Sequence, residues 1–126
     1  MKISDSEKYI MDLLWQSSPL SAKTIIGQLD PCLEWQDKTV KTLINRLLKK
    51  GAIDFEKQGR EYLYFPVLKE EDYIIDASEN FVERVFKGNV SSLIAAFAKT
   101  DKLSSKDIEE LKGLVNQLDS AEGKKK

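Results

Sequence analysis

The chain has 126 residues, 41% hydrophobic and 33% charged, which suits one ordinary domain or a small domain with an appendage and excludes a disordered chain. Twenty Lys and Arg against 21 Asp and Glu leave a net charge of -1, so affinity for a polyanion has to come from segregated charge. One cysteine, Cys32, and no histidine exclude an intramolecular disulfide and a zinc site of His and Cys, and Cys32 is expected to play no special part.

Ser4-Asp5-Ser6-Glu7 has the S-x-x-E form of a capping box, with Ser4 as N-cap and Glu7 reaching back to its amide, and Asp5 suits the positive end of a helix. Ile10, Leu13 and Leu14, with Tyr9 and Trp15, supply the buried stripe. The helix must end before Ser17-Ser18-Pro19, because Pro19 disfavours helical geometry in the residue before it. Ser21 caps a second, shorter helix through Leu29, with Ala22, Ile25, Ile26 and Leu29 inward and Gly27 weakening it slightly. Asp30-Pro31 breaks that helix.

The third helix, within WQDKTVKTLINRLLKKG from Trp35 to Gly51, organises the rest. Asp37 is placed to cap it, and Gly51 after Lys49-Lys50 is the expected left-handed stop. Val40, Leu43, Ile44, Leu47 and Leu48 fall at i, i+3, i+4, i+7 and i+8 and share an inward side. Lys38, Thr42, Asn45 and Lys49 lie nearly opposite, flanked by Thr39, Lys41 and Arg46. That face carries no acid. It offers cations to phosphate oxygens, and short hydroxyl and amide groups to base edges or a thymine methyl. A solvated polar face is the bland alternative, and Thr39, at the helix start, could equally be a structural first-turn residue.

Ala52 to Lys57 alternates like a strand, the chain turns at Gln58-Gly59-Arg60, and Tyr62 to Phe65 return as the second strand of a hairpin. Three helices and a hairpin with a basic tip predict a winged helix-turn-helix over residues 1–68, its third helix in the major groove and Lys57 and Arg60 on phosphates. Trp35 to Arg60 holds seven bases against three acids, whereas Lys69 onward holds ten bases against twelve acids.

Pro66 and Lys69-Glu70-Glu71-Asp72 mark a boundary, and residues 69–119 read as helical. One helix is predicted from about Glu70 to Phe86, anchored by Tyr73, Ile74, Ala77, Phe81, Val85 and Phe86 and ended by Gly88. A second runs from about Val90 to Lys99 with Leu93, Ile94, Phe97 and Ala98. A third begins at Ser104, with early acids Asp107, Glu109 and Glu110 and a stripe of Ile108, Leu111, Leu114, Val115 and Leu118. Three short helices cannot bury all of these residues among themselves, so a homodimer is expected through Tyr73, Phe81, Val85, Val90, Leu93, Ile94, Phe97, Leu111, Leu114 and Val115. The alternative is that they pack back on the winged helix of their own chain. Residues 120–126, apolar only at Ala121, are expected to form a disordered tail.

With these residues in view, the chain resembles the penicillinase and methicillin-resistance repressors, the BlaI/MecI/CopY family, over nearly its whole length. The resemblance is carried by Trp35, Thr39-Val40-x-Thr42-Leu43, Arg46-Leu47 and Lys49-Lys50-Gly51 in the third helix, and by Gly59-Arg60-x-Tyr62-x-Tyr64 in the hairpin. Phe86-x-Gly88-x-Val90-x-Ser92-Leu93 and Leu103-Ser104-x-x-x-Ile108-x-Glu110-Leu111 carry it in the C-terminal part. It implies a mostly α fold with a small β-hairpin and a homodimeric transcriptional repressor on a palindromic promoter operator in double-stranded DNA. Thr39 and Thr42 match base-approaching positions; Lys38, Lys41, Arg46 and Arg60 match the backbone-contacting set. The family's copper-responsive members carry paired Cys-x-Cys motifs, which Cys32 alone cannot supply. Its β-lactam-responsive members are released when the signal of a membrane sensor protease leads to cleavage at an Asn-Phe bond. The aligned pair here is Ala96-Phe97, so cleavage stays a candidate beside a plain packing role for Phe97.

An enzyme is excluded as a reading: with no histidine, no Gly-rich phosphate loop and no nucleophile beside a base, there are no catalytic residues and no cofactor is called for. Glu70-Glu71 and Glu109-Glu110 are helix-start charges. A winged helix used only for protein contacts, as a subunit of a larger assembly, would want acid or large apolar groups on the outward face of the third helix, where Lys38, Thr42, Asn45 and Lys49 stand instead. No apolar run approaches the ~20 residues of a membrane span, and the first residues lack a signal-peptide core, so a cytoplasmic protein without membrane insertion is expected.

Overall fold

Ser4 Oγ accepts the Glu7 amide and Glu7 Oε1 accepts the Ser4 amide at 2.8 Å, and this reciprocal cap opens α1, Asp5–Gln16. The structure, a computed structural model, describes the backbone of residues 1–125 and the side chains of residues 1–120. After α1 come β1 (Leu20–Ser21), α2 (Ala22–Gln28), a single 3-10 turn (Pro31–Leu33), α3 (Asp37–Lys50), β2 (Ile53–Gln58) and β3 (Glu61–Pro66). Three further helices follow: α4 (Glu70–Phe86), α5 (Val90–Ala98) and α6 (Ser105–Lys125). The chain divides into two compact units, Met1–Asp76 and Ala77–Lys126.

The first unit holds the expected winged helix, with β1 added to its sheet, and extends past residue 68 to take in the start of α4 as far as Asp76. β1, only two residues long, pairs with β3, setting Leu20 opposite Tyr64 and Ser21 opposite Leu63, so the hairpin becomes a three-stranded antiparallel sheet of order β1-β3-β2. At the far end Gln58 pairs with Glu61, leaving Gly59-Arg60 as a two-residue turn. Gly59 takes φ +60°, the conformation that the first position of a type II′ hairpin turn requires.

Helix α3 differs from expectation at its start. Asp37 is its first residue and not its cap: Gln36 stands at the N-cap without a side-chain bond, and Asp37 acts only as an acid in the first turn. The end is as expected, with Gly51 at φ +78° and its N–H directed to Leu47 and Leu48 carbonyls. The core gathers Ile10, Met11 and Leu14 of α1, Ile25 of α2, and Val40, Leu43, Ile44 and Leu47 of α3, closed by Leu20, Ala52 and Ile53. Each fully buried aliphatic side chain there is worth about 1.5–3 kcal/mol. Leu13, Trp15 and Leu48 border this core, and Met11 fills it where no stripe residue was assigned.

Trp15 Nε1 donates to the Leu68 carbonyl at 2.8 Å, and the Tyr73 ring lies 5.4 Å from that of Trp15. Tyr73, expected at a dimer interface, is half-buried and has this contact within its own chain: the amides of Val67 and Leu68 both bond the Ala52 carbonyl and bring the first turn of α4 to Trp15.

In the second unit, Asn89 caps α5 through the Ser92 amide at 3.1 Å, while Ser104 and Asp107 exchange bonds at 3.0 and 3.1 Å before α6. Among its described residues none is buried; Leu93 and Leu111 are half-buried, while Phe81, Val85, Val90, Ile94, Phe97, Ile108, Leu114, Val115 and Leu118 are exposed. Helix α6 continues to Lys125 across most of the stretch expected as a disordered tail; Lys126 lies outside the described residues. Among the described residues, no helix is long and apolar enough to cross a membrane.

Candidate nucleic-acid interface

The apolar stripe of α3 is drawn into the core, so the residues out of phase with it are held outward. Lys38, Thr39, Lys41, Thr42, Asn45, Arg46 and Lys49 are all exposed. Lys38, Thr39, Thr42 and Arg46 line one open depression of about 240 Å³ over Leu43, which brings Thr39 into the same surface as the others. Thr42 Oγ1 donates to the Lys38 carbonyl at 2.9 Å. Its hydroxyl proton is thus used within the helix, and what Thr42 presents outward is a methyl group and oxygen lone pairs.

Lys50 is exposed along part of its length but serves a different partner. Its ammonium donates to Glu7 Oε1, and to the Lys2 carbonyl at 2.8 Å. Glu7 is 1% exposed, and its Oε2 has no hydrogen-bond partner among the described residues. Burial raises the Glu7 pKa, but the Lys50 ammonium and the two bonds with Ser4 together outweigh it, leaving the carboxyl below its ordinary value. The Lys50 charge is thereby answered within the protein. The positive field over α3 comes from Lys38, Lys41, Arg46 and Lys49.

The register of the hairpin puts Phe55 opposite Tyr64 and Lys57 opposite Tyr62, so these four share one face of the sheet. Phe55 meets Tyr62 edge to face at 4.8 Å, and Lys57 Nζ lies 6.0 Å from the Tyr62 ring centre, a contact worth about 0.5–1 kcal/mol at an exposed site. The wing is thus stiffened by aromatic rings and carries Lys57 on them, with Arg60 exposed at the tip. Burial, and next to it the charge of Tyr62, raise the pKa of Tyr64, whose hydroxyl stays protonated at neutral pH.

Ala96 and Phe97, the candidate cleavage pair, are exposed in the last turn of α5, where the Phe97 carbonyl accepts the Thr100 amide and hydroxyl at 3.0 and 2.8 Å. A protease would have to unwind that turn first. One basic residue near α3 went unremarked in the sequence: Lys23, exposed in the first turn of α2, lines a groove with Lys41 and Tyr62. Among the described residues, no group of three or more His, Cys, Asp or Glu could hold a metal ion.

Comparison with known proteins identifies the family. The family model described as "Penicillinase repressor" matches residues 3–117. The penicillinase repressor of Bacillus licheniformis is 34% identical over 116 residues, covering 92% of this chain and 91% of that protein. The methicillin resistance regulatory protein MecI of Staphylococcus aureus is 36% identical over 116 residues, covering 92% and 94%. The solution structure of monomeric Bacillus licheniformis BlaI in complex with a half-operator is 37% identical with a TM-score of 0.51, covering 58% of this chain and 89% of that one. The chain belongs to the penicillinase repressor family, whose members are DNA-binding transcriptional repressors and not enzymes.

Proposed function

We propose that this repressor occupies a palindromic promoter operator as a homodimer in the cytoplasm, each α3 in a major groove and each wing along the adjoining backbone. The observation that carries the reading is the outward face of α3, on which Lys38, Lys41, Arg46 and Lys49 stand among Thr39, Thr42 and Asn45 without an acid. The cations position the helix on phosphates, and the short polar side chains read bases. Lys57 and Arg60 extend the backbone contacts from the wing. The half-operator bound by the related BlaI supports duplex DNA as the partner. A winged helix serving only protein contacts is disfavoured by the same acid-free face.

Helices α4, α5 and α6 carry exposed apolar residues. Covering them with a second copy couples two DNA-binding units, so that binding one half-site raises the effective concentration for the other. Cleavage at Ala96-Phe97 following a signal from a membrane sensor protease would remove α6 with Leu111, Leu114 and Val115 and undo that coupling.

The test is titration of the protein into labelled fragments of its own promoter beside scrambled DNA, at two salt concentrations, with sedimentation in parallel. A dimer binding the promoter at least about 10³-fold more tightly is expected. Equal, weak binding to both DNAs would withdraw the operator reading, and a monomer at the binding concentration would withdraw the dimer.

A further inference from the structure

The pairing of β1 with β3 sets Ser21 opposite Leu63, and so brings the first turn of α2 beside the wing. Between α2, α3 and β3 lies an open groove of about 480 Å³ whose walls include Lys23, Lys41 and Tyr62 together with Asp37 and Glu61. Lys41 already flanks the DNA-facing side of α3, and Tyr62 carries Lys57 on its ring. The groove is therefore continuous with both elements that meet the duplex. Lys23 is exposed and makes no ion pair with any described residue, so its ammonium is available on the third wall.

We infer that this groove receives a phosphate of the operator backbone outside the bases read by α3, with Lys23 and Lys41 as its cations and the Tyr62 hydroxyl as a donor. The inference rests on the operator reading above and extends it to α2. Asp37 and Glu61 balance the two lysines, so the groove is no trap for a small anion, which would bear the whole cost of association itself. A phosphodiester held by α3 on one side and the wing on the other is delivered to the groove at high effective concentration, and there the lysines act on it. The occupant is thus duplex DNA and not free phosphate.

Operator and scrambled DNA are titrated over a salt series with the unsubstituted protein, Lys23→Ala, Lys23→Arg and Glu61→Gln. Operators carrying one neutral methylphosphonate at a time then locate the contact. Lys23→Ala should weaken both DNAs several-fold and lower the slope of log affinity against log salt by up to about 0.9, the amount expected for loss of one whole phosphate contact. Lys23→Arg should keep the slope, and Glu61→Gln should tighten both DNAs. One methylphosphonate position should weaken the unsubstituted protein more than it weakens Lys23→Ala, which keeps only Lys41 and Tyr62 for that phosphate. An unchanged slope in Lys23→Ala, or a methylphosphonate pattern identical to that of the unsubstituted protein, would overturn the assignment. So would competition by inorganic phosphate beyond its ionic strength. Failure of the operator reading itself would show elsewhere, as equal binding of the two DNAs by the unsubstituted protein.

Discussion

Thr42, proposed above to read a base, illustrates how much of such a role is settled inside its own helix. Because its hydroxyl proton is directed to the Lys38 carbonyl at 2.9 Å, the part left for a base is the methyl group and the oxygen lone pairs. A methyl suits the C5-methyl of thymine. Replacing Thr42 by alanine should cost about 1 kcal/mol on the operator, roughly fivefold, and leave scrambled DNA nearly unaffected. Thr42→Val, which keeps the branch and loses the hydroxyl, should retain most of the operator affinity. Fluorescence anisotropy with the two DNAs decides it: equal losses on both would show that Thr42 reads no base, and a Val variant as weak as Ala would assign the contact to the oxygen. Neighbouring lysines differ as sharply. Lys49 is exposed on the outward face and makes no ion pair among the described residues, whereas Lys50, one position on, is turned to Glu7. The basic run was legible in the sequence, but not that one of its charges serves folding, since Glu7 lies 43 positions away.

Between elements, the Glu7–Lys50 pair fastens the start of α1 to the end of α3. Glu7 is buried and Lys50 is only partly so, which places the pair between a costly interior ion pair and a weak surface one. The Glu7 carboxyl has a pKa below its ordinary value of 4.5, so the folded state holds the ionised form more firmly than the unfolded chain does. Its contribution to stability is therefore complete above about pH 4.5 and is lost as pH falls through the lowered folded value. Glu7→Gln should destabilise the protein by about 1–3 kcal/mol at neutral pH, a figure reduced from the fully buried case because Lys50 is partly hydrated. In urea unfolding that difference should shrink as pH falls below about 4.5; a difference independent of pH would mean that the charge of Glu7 contributes nothing. The helices themselves were legible because their signals are local: the Ser4–Glu7 box, the five apolar positions of α3 and Gly51 all act within a turn or two. β1 was not legible, since two residues have no alternation to read and exist as a strand only because β3 lies beside them. Lys23 was missed for the same reason, its neighbours Lys41 and Tyr62 being distant in sequence.

At the scale of the molecule, a chain of net charge -1 can bind a polyanion because its charge is sorted: seven bases against three acids from Trp35 to Arg60, and an acidic excess from Lys69 onward. The core is sorted too: the first unit, Met1–Asp76, has its own buried core, whereas in the second no described residue is buried. In the second unit α5 offers Val90, Ile94 and Phe97 to solvent, and α6 offers Leu114, Val115 and Leu118, the last 67% exposed. A stable protein interface removes roughly 1,600 Å² from water, and a run of large apolar side chains of this kind is what such an interface is built from. The homodimer proposed above gives these residues an occupant and makes a specific demand on them. Val90 is 55% exposed at the start of α5, so Val90→Glu should leave the helix content intact by circular dichroism while placing a charge within the proposed contact. Sedimentation should then find a monomer whose affinity for a single half-site is unchanged. Affinity for the full palindrome should fall by about 10²–10⁴-fold, the coupling that a second tethered unit supplies. An unaltered dimer would move the interface away from α5. Loss of the dimer with undiminished binding to the palindrome would show that the half-sites are occupied independently and that the C-terminal helices do not hold the repressor on its operator.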